Sequence, residues 1–165
     1  MICSELMDLE KAMVAYELSA EWFQGEGAKS SGSICLLKAA SLAAQLEQYD
    51  KASKIYEQVG MAAIDSPLRF SVRDHFLKAG LCILCNTDIV AANKALARYT
   101  NMDSTFASTR EAQFLKTIVA ACEAGDVEAF SNHTVDFDNF ATLDAWKVAI
   151  LLKIKKGIVE ESPLI

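Results

Sequence analysis

Apolar side chains at Leu6, Leu9, Met13, Tyr16, Ala20 and Phe23 recur in steps of three and four, which stacks them along one face of a helix. Gly25 and Gly27 end that helix. A second helix is predicted over 33–48, where Ile34, Leu37, Ala40 and Ala44 form the apolar stripe and the alanines let a neighbour approach closely. The chain restarts at Tyr49-Asp50: Ala52, Ile55, Tyr56 and Val59 make a third stripe, with Asp50 as its N-cap and Gly60 loosening its end. Asp65-Ser66-Pro67 closes that segment. Further helices are predicted over 69–85, 88–100, 108–124, 126–136 and 142–156, separated by Asn, Asp, Ser and Gly clusters. The Leu143, Trp146, Ile150 and Ile154 ladder docks the last of them, which leaves 157–165 as a flexible tail.

Eight helices in four hairpins carry an internal repeat. Alternate helices open with an acidic residue, then a small Ala, then a larger residue four positions on: Asp8/Ala12/Tyr16, Asp50/Ala52/Tyr56, Asp88/Ala92/Leu96 and Asp126/Ala129/His133. The alanines recur every 37 to 40 residues, slightly longer than a tetratricopeptide unit. The expected fold is therefore all-α, a tetratricopeptide-like helical-hairpin solenoid with right-handed superhelical twist, making one domain over 1–165.

Composition narrows the function classes. With 52% apolar and 23% charged residues in 165, the chain can bury a sizeable core and is not disordered. Two prolines and seven glycines leave few helix breakers. A net charge of −6 argues against non-specific nucleic-acid binding, which needs a basic footprint. No run approaches the ~20 apolar residues of a membrane span, and five cysteines in apolar helical patterns suit reduced thiols. A cytoplasmic protein is expected.

Candidate chemistry is sparse. Cys82-Ile83-Leu84-Cys85 has redox or zinc spacing but lacks a second Cys/His pair, so core packing is the simpler reading. The segment Gly25-Glu26-Gly27-Ala28-Lys29-Ser30 lacks the spacing of a phosphate loop and joins two helices, as a hairpin turn does. His75 and His133 belong to no ligand or dyad pattern. No catalytic residue, metal or cofactor is expected. The cations Lys38, Arg73, Lys78 and Arg110 all fall in the second helices of successive hairpins, where they either line one basic face or stand as ordinary solvated charges.

Longer stretches carry a resemblance. Cys35-Leu-Leu-Lys-Ala-Ala40 followed by Leu42-Ala-Ala-Gln-Leu-Glu-Gln-Tyr-Asp-Lys-Ala-Ser-Lys-Ile-Tyr-Glu-Gln-Val-Gly60 resembles the soluble NSF-attachment proteins of the alpha or beta type. The likeness continues through Asp8–Glu17, Asp65-Ser66-Pro67, Lys78–Cys82, Thr109-Arg110-Glu111, Leu143–Trp146 and Leu151–Lys156. It corresponds to the C-terminal portion of a longer family member, ending in a C-terminal helical bundle and without the family's N-terminal membrane-touching loop.

The resemblance implies an adaptor, not an enzyme. Such a protein coats an assembled SNARE complex, a syntaxin-type helical bundle, and recruits the hexameric ATPase NSF for SNARE disassembly, with peripheral membrane contact weakened here by the missing loop. Lys38, Arg73 and Arg110 match family basic residues on the SNARE-binding face, where Ile34 replaces a frequent lysine. Glu123, Glu160, Glu161 and Leu164 match the NSF-binding side, where Ala120 and Ala124 stand in place of carboxylates and Pro163 interrupts the tail. The alternatives are a general tetratricopeptide-like scaffold that holds a peptide in its groove, or a truncated dominant-negative form.

Overall fold

The computed structural model describes residues 2–161. Among them are eight α-helices: α1 (Ile2–Gly25), α2 (Lys29–Gln45), α3 (Tyr49–Ala63), α4 (Val72–Cys85), α5 (Ile89–Met102), α6 (Arg110–Ala124), α7 (Val127–Phe140) and α8 (Ala145–Glu161). Two short 3-10 turns, Arg69–Ser71 and Phe106–Ser108, sit in the longer connections. Successive helices pack antiparallel, α1 on α2, α2 on α3 and α3 on α4, and this continues to α7 as a helical-hairpin solenoid.

The repeat positions read from the sequence are seam positions. Ala52 and Ala92 are buried and Ala12 and Ala129 partly so, and the larger residues four on include the buried Tyr56. Small side chains at these points let helix axes come close, and the aromatics fill the space between layers. In the middle of the solenoid Phe76 of α4 stacks on Tyr99 of α5 at 4.5 Å between ring centroids, with Phe106 edge-on at 5.5 Å. The Tyr99 hydroxyl donates to Glu57, which also accepts from Arg98, so the buried phenol is satisfied at the α3–α5 seam. Further along, Phe114 and Phe137 stack α6 on α7 at 4.3 Å.

The hairpin turns share one backbone device. Gly27, Glu47, Thr87 and Gly125 each adopt a left-handed conformation, with φ of 78°, 58°, 58° and 65°. After α1, α2 and α6 the left-handed residue's N–H and the next N–H bond back to orphan carbonyls of the preceding helix, as in Gln48 N–H to Ala43 O at 2.8 Å. Caps then start the next helix: Asp88 accepts from Ala91 N–H and Asp126 from Ala129 N–H, both at 2.9 Å. Two of the four turn positions lack glycine, and the β-branched Thr87 is the costlier of them.

Several expected details differ. α2 begins at Lys29, not at residue 33, because the turn at Gly27 feeds directly into it and Gly32 N–H already bonds Ala28 O. Gln48, not Asp50, is the N-cap of α3; Asp50 lies in its first turn and accepts from Asn86 Nδ2 at 2.8 Å, tying α3 to the end of α4. Gly60 does not loosen α3. It is the point where α4 comes closest: a Cβ there would stand 2.7 Å from the Phe76 ring.

The largest difference concerns α8. Instead of simply pairing with α7, it runs back against α4. Lys147 is buried and reaches Asp74 of α4 at 2.7 Å and Asp144 at 3.4 Å. Trp146 packs edge-on against Tyr56 of α3 at 5.4 Å, and the Lys78 ammonium lies 5.6 Å and 5.5 Å from the centroids of those two rings. Burial pushes the Asp74 carboxyl up, but the Lys147 hydrogen bond and the charges of Lys78 and Lys147 outweigh it and hold the group below the usual carboxylate range. Lower down, Cys85 Sγ approaches the Ile150 carbonyl at 3.9 Å and Lys153 pairs with Glu47 at 3.0 Å. The helix does not stop at Gly157, where a tail was expected: Gly157 passes the Thr87 turn, and Ile158 is buried beyond it. Residues 157–161 are thus the last turn of α8.

The cysteines pack. Burial pushes the Cys85 thiol up to about 12 and Cys122 up to about 11, and raises Cys82 as well, so all three are protonated at neutral pH and poor nucleophiles. His75 is also buried, at the α3–α4 seam next to Gly60, and its Nδ1 finds no hydrogen-bond partner among the described residues.

Thr87→Gly removes the strained left-handed threonine on an exposed turn and is expected to raise the chemical-denaturation midpoint, with a gain of about 0.5–1 kcal/mol after the added unfolded-chain entropy is counted; urea melts of the two chains check it. Burial lowers the His75 pKa, so protons bind the unfolded chain preferentially and stability falls as pH drops below about 6.5 toward the folded value. The Asp74 contribution is still intact in that window and is lost only at lower pH, as its depressed folded pKa is crossed. His75→Phe should flatten the pH dependence of stability between pH 6.5 and 5 by up to about 1.4 kcal/mol per pH unit. Parallel slopes for the two proteins would refute the assignment.

Candidate functional site

Charged side chains gather at opposite edges of the solenoid. The longer connections 64–71, 103–109 and 141–144 lie on one edge, and the tight turns at Glu47, Thr87 and Gly125 on the other, because helix direction alternates along the chain. On the first edge Arg73 opens α4 and Arg110 opens α6. Arg73 Nε lies 3.8 Å from Glu111, the residue after Arg110, so α4 and α6 meet at this edge. Arg110 lays its guanidinium over the Phe140 ring at 4.6 Å, an arrangement that pre-orients the planar head and leaves its donors outward.

Of the remaining cations, Lys38 stands apart in mid-α2, exposed, its ammonium 5.8 Å from the Tyr16 ring centroid. Lys78, which charge alone placed with them, does not belong to this face: it is turned into the α3–α4–α8 junction, where it meets Asp74 at 3.5 Å and the Tyr56 and Trp146 rings.

Three residues of the same edge escaped the sequence reading. Arg69 reaches the buried Asp103 at 3.2 Å, and Thr105 N–H and Oγ1 complete that carboxylate's shell, pinning the 64–71 connection to the 103–109 one. Leu68 and Phe70 flank it and are exposed, Phe70 by 68%. Arg69, Phe70 and Arg73 line a cleft with Thr105 and Thr109. The signal was the apolar-basic run Leu68-Arg69-Phe70 directly after Pro67, too short for any periodicity to register.

The opposite edge is acidic. Glu123 is exposed in the last turn of α6, and Glu160 and Glu161 in the last turn of α8. The fold-back of α8 brings these distant stretches together, since Cys122, Glu160 and Glu161 line one cleft with Thr87 and Lys156. Glu160 has only a loose partner in Lys156, at 3.9 Å. Carboxylates at helix C-termini face the negative pole of the helix dipole, which costs roughly 0.3–1 kcal/mol each. Such placement does nothing for the fold and leaves the carboxylates free to meet a basic partner. Leu164, expected on this side, lies outside the described residues.

His133 lines a small cleft between α6 and α7 with Arg110 and Asp136, while His75 sits at the α3–α4 seam. Among the described residues no cluster of His, Cys, Asp and Glu could hold a metal ion, and no helix is long and apolar enough to cross a membrane.

Comparison with known proteins agrees with the resemblance in the sequence. The family model for soluble NSF attachment protein, SNAP, matches residues 1–159. The alpha-soluble NSF attachment protein of Mus musculus is 44% identical over 156 residues, covering 94% of this chain and 52% of the relative. That of Dictyostelium discoideum is 42% identical over 156 residues, 94% of this chain and 54% of its own length. The Saccharomyces cerevisiae protein is 40% identical over 159 residues, 96% of this chain and 54% of its own length. The chain thus spans about half the length of the curated relatives it matches. Similarity that runs almost end to end settles the lineage: this chain belongs to the soluble NSF attachment protein family.

Proposed function

We propose that this chain is an adaptor in vesicle trafficking that binds an assembled SNARE complex through its basic edge and offers its acidic edge to the NSF ATPase. The observation that carries the reading is the placement of exposed arginines and of exposed glutamates at opposite ends of the helices. Arg69, Arg73 and Arg110 stand with exposed Leu68 and Phe70 on one edge, while Glu123, Glu160 and Glu161 stand on the other. A solenoid with candidate contact residues at its two edges can hold two partners at once without either touching the other's surface.

The chemistry of each edge suits its partner. An assembled SNARE bundle presents an acidic surface, which the arginines, with the Arg110 guanidinium held over Phe140, and adjacent apolar side chains can grip both by charge and by burial. Lys38 on α2 extends the basic face along the solenoid axis. On the NSF side, Ala120 and Ala124 leave Glu123 without acidic neighbours on α6, so the α8 carboxylates and Leu164 carry more of the contact. The work is binding and positioning, and ATP hydrolysis is the partner's. Residence is cytoplasmic with peripheral contact to membranes.

Charge reversal separates the two edges. The Lys38→Glu, Arg73→Glu, Arg110→Glu variant is expected to lose binding to assembled SNARE complex at least tenfold while its melting temperature changes little, since exposed charges contribute well under ~1 kcal/mol each. Glu123→Lys, Glu160→Lys, Glu161→Lys, and separately Leu164→Ala, should leave SNARE binding intact and lower stimulation of NSF ATPase. Pull-downs and ATP turnover with purified components measure both. Undiminished SNARE binding by the first variant in low salt, or undiminished stimulation by the second, removes that edge from the mechanism.

A further inference from the structure

The connection between α3 and α4 carries Asp65-Ser66-Pro67, and neither edge described above makes use of its serine. Ser66 stands at the first corner of a turn: Pro67 follows it, and Arg69 N–H closes back on the Ser66 carbonyl at 3.1 Å. A residue before proline is driven out of the helical region toward an extended conformation. The Ser66 hydroxyl donates to the Ala63 carbonyl at 3.0 Å and accepts from Leu68 N–H at 3.1 Å. Asp65, Pro67, Leu68, Arg69 and Phe70 around it are all exposed. Among the described residues, the Arg69 bond to Asp103 is the one side-chain hydrogen bond that ties this connection to another segment.

A hydroxyl followed by proline, with a cation at the third position, is an order that one class of enzyme reads. A kinase that accepts Ser-Pro offers an apolar surface in place of a carbonyl that would need an N–H, which proline lacks. The cation meets an acidic patch on the enzyme, and charge patterns of this kind set substrate choice. Only Ser66 and Ser162 precede the two prolines of the chain, and Ile165 stands where the cation would be needed after Ser162.

We propose that Ser66 is a phosphoacceptor site for a proline-directed protein kinase, and that its phosphate takes Arg69 from Asp103. In the step, Ser66 Oγ bonds the γ-phosphorus of ATP, the bond from that phosphorus to the β–γ bridging oxygen breaks, ADP leaves, and the hydroxyl proton passes to the kinase's base. The modified serine no longer donates to Ala63, and its negative charge faces the carbonyl end of α3. Compensation is close by. Arg69 sits at the far corner of the same turn, its side chain 54% exposed and held to Asp103 by a contact of 3.2 Å. A phosphate carries about −1.5 to −2 charges and three acceptor oxygens, so it outbids a single carboxylate for the guanidinium. Asp103 keeps its Thr105 bonds, but the 64–71 and 103–109 connections are no longer pinned together. Positive charge at that edge falls too; what this does to partner binding rests on the adaptor reading, whereas the modification itself does not.

The test uses the whole chain carrying Ser162→Ala, in which Ser66 alone precedes a proline, with a cyclin-dependent kinase and MgATP. Intact mass should show one phosphate, peptide mapping should place it at Ser66, and Pro67→Ala should slow the initial rate at least tenfold. Phosphorus NMR then titrates the product. Arg69 should hold the second phosphate pKa below its usual value of about 6, and Arg69→Ala, phosphorylated with excess kinase, should raise it again by about half a unit or more. No phosphate at Ser66, or a rate that Pro67→Ala leaves unchanged, would overturn the site. A phosphate pKa that is the same with and without Arg69 would overturn the exchange of partners.

Discussion

The buried reach of Lys147 from α8 to Asp74 on α4 is the contact on which the rest of the arrangement depends. An ammonium taken out of water must be compensated where it lies, and here two carboxylates do so while Trp146 and Tyr56 exclude solvent around them. Lys78 completes the junction from α4, over both rings. The pairing fixes which face of α8 meets the solenoid and in what register. Only in that register does the last turn of α8 arrive beside the last turn of α6, where Glu123, Glu160 and Glu161 form one acidic edge.

Helix topology separates the two edges that carry the candidate contacts. Helix direction alternates along the solenoid, so helices that begin with Arg73 and Arg110 on one edge end on the other. Stacked aromatics between α4, α5 and the Phe106 turn, and between α6 and α7, make the intervening layers stiff. Under the adaptor reading proposed above, such stiffness would let a load taken up at one edge be borne at the other without the layers sliding.

Local features were legible in the sequence, and long-range ones were not. The stripes of α1 and α3, and the repeat of acidic, small and larger residues that includes Asp88 and Asp126, all act within a few residues of themselves, so periodicity reveals them. Lys78 read as one more surface cation because nothing local distinguishes a solvated lysine from one set over two rings. Gly60 read as a weak point, although its missing side chain is what lets Phe76 approach. Gly157 read as an end, although burial of Ile158 against a neighbouring turn outweighs one glycine's cost of about 1 kcal/mol. The left-handed turns at Glu47 and Thr87 went unseen, since the usual signal is glycine. Of the candidate site, the individual charges were visible, but the contact of Arg73 with Glu111 and the cleft that Cys122 shares with Glu160 and Glu161 depend on contacts between distant segments.

Hydrogen exchange across α8 in the unmodified chain and in Lys147→Ala tests the docking of this helix most directly. If the Lys147 contact to Asp74 and Asp144 holds α8 in place, amides of residues 150–158 should lose protection at least tenfold in the variant while those of α3 and the α5–α6 layer keep theirs. Unchanged protection throughout α8 would contradict the account, since the acidic edge would then be assembled without the contact said to set it.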